Sequence, residues 1–430
     1  MKTAIIGAGL GGMSAAYDLA KAGRQVVIYE AADYVGGLAA GFKDTGWEWS
    51  VERFYHHWFQ TDTDMQRIIA DLGLTHKVVV KRPYTVMFHE GKFYPFDSYL
   101  AALLYPGLGY GINKIRFGLV GVFLRLTNNW KVLEKITTHE WMRKWAGQRV
   151  YEQMWEPMLV GKFGERFARQ VNMAWMWARL HSRTTKLSTY QGGFQAFADD
   201  FAVCLKSMGV EFRMSTPVQG IEAVEGGGLK VITPAGEETY AQVLSTTSPQ
   251  LMAKMAPSLP QDYLAGLLSL KHLGAVVLTL ALKHQLSEEG YYWYNLPKSA
   301  GFPFLALVEH TNFIPSEHFG GDHVLYIGDY LETDHRYFSM DKDAILAEYL
   351  PALTRINPNF TPEWVRESWM YRTTYAQPVP FLNHSRNIPA TRTPLDGLYF
   401  ASMSQVYPWD RGTNFAVQLA RKTAAEMLAA

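Results

Sequence analysis

Residues 4–30, "AIIGAGLGGMSAAYDLAKAGRQVVIYE", read as a strand, a glycine turn, a helix and a second strand that closes on an acid. Thr3–Ile6 is a short apolar run suited to a buried strand. Gly7 permits the tight turn out of it, Gly9 lets a backbone approach a pyrophosphate, and Gly12 lets the following helix pack against the sheet. Gly7 to Gly12, with Leu10 and Gly11, form the turn, and the helix runs from Met13 to Ala22 and stops at Gly23. Its first N–H groups and its positive dipole end suit phosphate oxygens. Glu30 stands 18 residues beyond Gly12, where a carboxylate can accept hydrogen bonds from both ribose hydroxyls of an adenosine. An acid at that point disfavours a 2′-phosphate. The stretch predicts an adenine dinucleotide site and by itself leaves NAD and FAD open.

The rest of the composition sets bounds. A chain of 430 residues predicts two or three domains. Hydrophobic residues make up 48% and aromatic ones 14%, enough for large cores and an apolar pocket. With 41 Lys and Arg against 40 Asp and Glu, there is no basic surplus of the kind a general nucleic-acid binder needs. The single cysteine, Cys204, excludes an internal disulfide and a thiolate metal cluster, and it reads as a small buried apolar residue. This fits a reducing, cytoplasmic setting. The apolar residues after Lys2 read as a strand rather than a signal peptide. No run approaches the roughly 20 apolar residues of a membrane span.

Further along, residues 61–73 predict a capped helix, and 78–95 predict strands with a hairpin at Glu90-Gly91. Residues 99–126 are the most apolar long segment. Ile112, Ile115, Leu119, Val122 and Leu126 recur at helical spacing, and Phe117, Val120 and Leu124 make the other side apolar as well. Two readings stay open here: an internal helix, or a surface helix that dips into the inner face of a membrane or lines a channel for a lipid-like substrate. Residues 137–183 are helical and rich in tryptophan, with Trp175 and Trp177 read as core. Strands follow at 273–283 and 323–330, a helix at 341–356, and a strand, loop and helix over 397–428.

Three separated segments carry a resemblance. After Glu30 comes "AADYVGGLAAGF" (31–42), with the pair Gly36-Gly37 followed by Leu38. Next is "TPVQGIEAVEGGGLKVITPAGEETYAQVLSTTSPQ" (216–250), and last "GLYFASMSQVYPWDRGTNFAVQLARKTAAEML" (397–428). Together with the opening unit they resemble the FAD-dependent amine oxidase superfamily, which includes protoporphyrinogen oxidases, phytoene desaturases and, more distantly, UDP-galactopyranose mutases. The resemblance implies FAD as cofactor. It implies an α/β fold: a Rossmann-like FAD-binding domain from 1–75, 190–260 and 375–430, with an inserted α+β substrate-binding domain from 76–189 and 261–374. The helical part of the insert covers about 99–183 and its sheet part about 261–374. Gly36, Gly37 and Leu38 would lie along the flavin side, with Leu38 where many members have arginine. Val218 would meet the adenine through its backbone, and Ser402 and Met403 would follow the last strand. A helix would start at Gly412, Thr413 and Asn414, with Thr413 or Asn414 as its cap and its N–H groups aimed at the flavin. Arg411, next to it, reads either as a loop anchor or as a holder of substrate or flavin phosphate.

The catalytic candidates outside the cofactor are His56 and His57 in "VERFYHHWFQTD" (51–62), a loop similar to the mutases' histidine-bearing loop through His57. A histidine there can hold a proton for a substrate anion or hydrogen-bond the flavin. Tyr375 stands where many members place an aromatic near the ring. Adjacent histidines without a third ligand do not suggest a metal site. His310 and His335 read as surface or satisfied residues. The strand "LGAVVLTLALKHQL" (273–286) lacks the lysine that amine-oxidising members place in its centre, and Lys283 comes later.

Three functional readings follow. The first is an FAD-dependent oxidoreductase that takes hydride from a bulky, hydrophobic small molecule by C–N or C–C bond oxidation or desaturation, with dioxygen or a quinone as electron acceptor. The second is a redox-neutral nucleotide-sugar mutase, which would need arginines such as Arg166, Arg179 and Arg183 around a diphosphate. The third is a non-catalytic flavin-binding partner at a membrane. Oligomeric state leaves no signature in the sequence.

Overall fold

The computed structural model describes residues 1–430. The elements that build the site are, in chain order, β1 (Lys2–Ile6), α1 (Leu10–Lys21), β2 (Gln25–Tyr29), α2 (Ile112–Leu126), α3 (Glu156–Ala168), α4 (Met173–His181), β3 (Glu211–Arg213), β4 (Gln242–Ser245), β5 (His272–Leu282), β6 (His323–Leu331), β7 (Val365–Pro378), β8 (Leu398–Phe400) and α5 (Thr413–Ala429).

A five-stranded sheet runs in the order β3-β2-β1-β4-β8, parallel throughout. β1, β2, β4 and β8 are almost fully buried, as strands covered on both faces are, while the edge strand β3 is partly exposed. One face packs on α1, α5 and the helix Gly193–Ser207, with Met13, Phe194, Phe197 and Val417 at its centre. The three-stranded antiparallel sheet 220–240 and helix Pro249–Met255 cover the other face. This is the doubly wound Rossmann-like arrangement. Such sheets bind ligands beyond the carboxyl ends of their strands, which here are Ile6, Tyr29 and Ser245.

A second, mostly antiparallel sheet has seven strands, with β5 between β7 and β6. Its hairpin 84–95 turns at Glu90-Gly91, both at positive φ (48° and 82°), where the sequence places it. The tryptophan-rich helices gather around Trp141, Trp155, Trp175 and Trp177 as a third core. Just before α3 the chain makes a π-helical turn, Tyr151–Trp155, and α3 itself kinks at Gly164 (φ 70°). Irregular turns of this kind re-aim side chains, and here Lys162 lies between the two.

The 99–126 segment resolves against the internal-helix reading. Ile112, Ile115, Leu119, Val122 and Leu126 are 57–75% exposed, while Val120 and Leu124 on the opposite side are buried. The stripe at helical spacing is therefore the outward one. No helix is long and apolar enough to cross a membrane. Cys204 is half-buried rather than core.

Candidate active site

One cavity of about 1870 Å³ runs from the ends of β1 and β2 into the space between the two sheets and out to α2. That is nearly twice the upper end of the roughly 300–1,000 Å³ usual for ligand pockets. The part at the ends of β1 and β2 is termed the first chamber and the part between the two sheets the second.

The first chamber is built by the opening stretch. A Cβ on Gly12 would lie 2.1 Å from the Gly7 carbonyl oxygen, and one on Gly7 (φ 107°) would lie 2.5 Å from Thr246 Oγ1, so side chains are excluded at both. Gly9 forms the N-terminal boundary of α1, with no side-chain cap. The N–H groups of Leu10, Gly11 and Gly12 make no hydrogen bond within the protein. The same holds at α5. Its boundary residue is Gly412, and the N–H groups of Thr413, Asn414 and Phe415 are free. Gly11 lies against α5, where an added Cβ would be 3.2 Å from the Ala416 carbonyl, so two helix N-termini open side by side on one cavity. Free N–H groups that converge in this way suit phosphate and carbonyl oxygens.

Here the structure corrects an expectation. Neither Thr413 nor Asn414 caps α5. Thr413 Oγ1 accepts from Trp58 Nε1 (2.9 Å), and Asn414 Oδ1 accepts from Met65 N (2.9 Å). Both side chains instead fasten the "YHHWF" loop and the following helix to α5.

Glu30 is held ready. Its carboxylate accepts from Ala8 N (2.8 Å) and Ala32 N (2.9 Å), one bond to each oxygen. A carboxylate has about four acceptor sites, so each oxygen keeps one for a ligand. Gly36, Gly37, Leu38 and Val218 line the same cavity, and Gly36 pairs with Gly9 as an isolated bridge.

The second chamber contains His56, His57, Tyr375, Ser402, Met403 and Arg411. His56 Nδ1 bonds the Phe54 carbonyl, while His57 Nδ1 is buried without a partner. Burial pushes His56 down to about 4 and His57 to about 3, with nearby arginines adding to it. Both imidazoles are neutral at pH 7, so neither stores a proton as the sequence suggested. They remain hydrogen-bonding groups. Tyr375 lines the cavity, but its hydroxyl is engaged by Ser402 Oγ (2.7 Å), Ser404 Oγ (2.8 Å) and Ser404 N (2.9 Å). It fixes the turn after β8 and offers its ring to the cavity. On β5, His272, Ala275 and Val277 face the chamber and Lys283 does not, as its place at the strand end implies.

A charge cluster that sequence reasoning missed sits beside α5. Asp410 Oδ2 meets Lys162 Nζ (2.7 Å) and Arg179 Nη1 (2.9 Å), and its Oδ1 accepts from Trp175 Nε1 (3.0 Å) and Arg411 N (3.1 Å). Lys162, Arg179 and Arg411 hold the Asp410 carboxyl well below its usual range against the opposing effect of burial. Burial in turn pushes the Lys162 ammonium well down. Trp175 is core, as expected, yet its indole N–H helps hold this carboxylate. The Arg411 side chain turns away from Asp410, to Gln377 Oε1 (2.9 Å) and the Tyr330 hydroxyl. Arg166 is exposed and paired with Glu332 (2.9 Å), outside the cavity. His310 is neither surface nor satisfied, being buried with its Nδ1 unpartnered, and His335 accepts from Tyr337 N. No group of His, Cys, Asp and Glu is arranged to hold a metal ion.

A Rossmann-like sheet whose two uncapped helix ends share a cavity with a carboxylate at the second strand defines a dinucleotide-binding class. The family described as flavin containing amine oxidoreductase matches residues 10–428, and the chain belongs to it. Among curated relatives, 15-cis-phytoene desaturase of Capsicum annuum is 29% identical over 159 residues, which is 34% of this chain and 27% of the desaturase. The match thus spans about a quarter of that relative's length. Among solved structures, a protein from Exiguobacterium sp. 255-15 provisionally assigned as a protoporphyrinogen oxidase superposes with a TM-score of 0.77 at 18% identity, covering 100% of this chain and 99% of its own. Reduced UDP-galactopyranose mutase superposes with a TM-score of 0.76 at 16% identity, covering 100% and 95%. At these identities the structural likeness concerns the fold alone.

Proposed function

We propose that this chain removes hydride from a bulky, largely apolar small molecule at a C–N or C–C bond, and that the substrate enters from a membrane surface. FAD, when bound, supplies the hydride-accepting nitrogen and passes electrons on to dioxygen or a quinone. Gly7, Gly9, Leu10, Gly11 and Gly12 would hold its pyrophosphate, Glu30 the ribose and Val218 the adenine. Gly36, Gly37, Leu38, Ser402, Met403, Arg411, Gly412, Thr413 and Asn414 would surround the flavin half. The protein's own part is to exclude water and orient the substrate. Neutral His56 and His57 offer hydrogen bonds there, and Tyr375 offers a ring face.

The observation that carries this reading is the continuity of the cavity. The chamber that holds the dinucleotide opens into one walled by Ala275, Val277, Met154, Trp155, Phe117 and Val120, and ends at α2. Val122 and Leu126, at the C-terminal end of the outward apolar stripe of α2, line the cavity there. From Ser98 to Leu133 there is no acidic residue, and Lys114, Arg116, Arg125 and Lys131 supply positive charge. An apolar face ringed by basic residues suits an anionic lipid surface. The absence of a lysine from the chamber side of β5 supports a substrate other than a simple amine.

The test starts from the FAD-loaded protein under anaerobic conditions, mixed with apolar amines and polyenes presented in phosphatidylglycerol vesicles. Bleaching of the flavin absorbance by such compounds, and sedimentation of the protein with the vesicles, are expected. Turnover of a nucleotide sugar only after chemical reduction, with no bleaching by any apolar compound, would overturn the reading.

A further inference from the structure

Arg183 stands just beyond the C-terminus of α4 and lines the substrate chamber. It is set within the body of the protein, where burial and then the neighbouring Arg179 lower its guanidinium to about 10. At that value it is still a cation at pH 7. Its side chain has no carboxylate within salt-bridge distance, and it makes no hydrogen bond. Its surface is nonetheless accessible, because it faces the open cavity.

Its surroundings are short of negative charge. Four cationic side chains, Lys162, Arg179, Arg183 and Arg411, line this part of the cavity with the carboxylate of Asp410; Asp62 lines it too, with its carboxyl pushed up to about 6 by burial. Asp410 is already shared by Lys162 and Arg179. Two further polar atoms nearby are buried without partners, Arg179 Nε and His57 Nδ1. Leaving such donors unsatisfied is costly, so their arrangement around one space implies a group that completes them. Arg125 of α2 donates to the carbonyls of His181 (3.0 Å) and Arg183 (3.0 Å), which neutralises the negative end of α4 and leaves the Arg183 guanidinium free for another partner. It also ties the cluster to the helix at the cavity mouth.

We infer that Arg183, with Arg179 and His57, forms a recognition site for an anionic group on the substrate, a carboxylate or a phosphate, whose apolar body fills the rest of the chamber. This rests on the apolar-substrate reading above and narrows it to an anionic amphiphile. A guanidinium matches both oxyanions by paired N–H donors. The walls toward α2 suit the hydrocarbon part.

Three probes with one chain length test this on the FAD-loaded protein: decanoate, decyl phosphate and decanol, titrated against the flavin absorbance at pH 7.5. At least one anion should bind about tenfold or more tighter than decanol, as one charge-assisted pair allows. Whichever anion is preferred identifies the group. Arg183→Gln should abolish the preference while decanol binding and FAD content stay as in the parent. Equal binding of all three probes, or an anion preference that survives in Arg183→Gln, overturns the anion site and leaves the apolar chamber standing. Absence of binding by any probe overturns both readings. Loss of FAD from Arg183→Gln would instead make the arginine a cofactor holder and also overturn the proposal.

Discussion

Replacing Asp410 by asparagine should destabilise the protein by about 3–5 kcal/mol, the usual cost of removing one partner from a buried charge pair. Lys162 Nζ at 2.7 Å and Arg179 Nη1 at 2.9 Å both depend on Asp410 Oδ2. The side chains of Lys162 and Asp410 are only 9% and 17% exposed, so water cannot take over as partner. Asparagine keeps the shape, and its carbonyl can still accept from Trp175 Nε1. Its amide then points donors at two cations. Adding Lys162→Met to Asp410→Asn removes one of the stranded charges, so the double variant should recover at least about 1.5 kcal/mol relative to additivity. Urea unfolding of the FAD-loaded proteins, followed by tryptophan fluorescence, gives these differences. The Asp410 carboxyl lies below its unfolded value, so the stability it contributes is present above about pH 4 and is lost only as pH falls through its lower folded value. Lys162, whose ammonium burial pushes down, sheds its proton more readily once Asp410 is gone, so the Asp410→Asn deficit should shrink as pH rises from 6 to 8. A deficit below about 1 kcal/mol, or strictly additive single variants, would refute the view that Asp410 holds these cations together.

Three further outcomes are expected. Glu30→Ala should lower FAD retention at least about tenfold, through loss of charge-assisted bonds to the ribose, with Glu30→Gln intermediate; flavin absorbance per protein after gel filtration reads this, and unchanged occupancy rules out the ribose contact. Gly12→Ala should yield protein that is colourless or fails to fold, because its Cβ would meet the Gly7 carbonyl oxygen at 2.1 Å; an alanine variant that retains FAD normally shows that the turn can relax. Glu52 is buried, accepting from Phe194 N (3.2 Å) and Tyr326 OH (3.1 Å), and burial pushes it up to about 7. A carboxyl raised in this way contributes stability in full below about pH 4.5 and loses it as pH rises through about 7, so the stability of Glu52→Gln relative to the parent should increase by roughly 2–3 kcal/mol between pH 5 and pH 8. An offset that is the same at both pH values would mean that Glu52 is ionised throughout.

The adenosine end was legible because it is local. A turn, a helix start and a strand-end acid lie within 30 residues, and each has a steric or electrostatic reason to be the residue it is. The flavin end was legible only through resemblance, and its details shifted. Thr413 and Asn414 have the chemistry of caps, but their partners are Trp58 and Met65, about 350 residues away along the chain. Those long-range bonds draw the side chains away from the helix end and leave its N–H groups free. The Lys162–Asp410 pair joins positions 248 residues apart, and a lysine on a helix that also carries Glu156, Glu165 and Arg166 shows no mark of an internal partner.

The orientation of α2 was illegible for a different reason. Periodicity finds the face that is most regularly apolar, and the usual inference is that this face lies inside. On α2 both sides are apolar, so the pattern cannot choose, and neighbours decide. Val120 and Leu124 pack among the tryptophans, which fixes the other stripe outward. A soluble surface gains nothing from Ile112, Ile115, Leu119 and Leu126 in water, since each exposed side chain of that size forgoes about 1.5–3 kcal/mol of burial. The stripe reaches the cavity at its C-terminal end, where Val122 and Leu126 line it. The same feature that defeats a sequence-based assignment of inside and outside is then the one on which the proposed entry of a hydrophobic substrate rests.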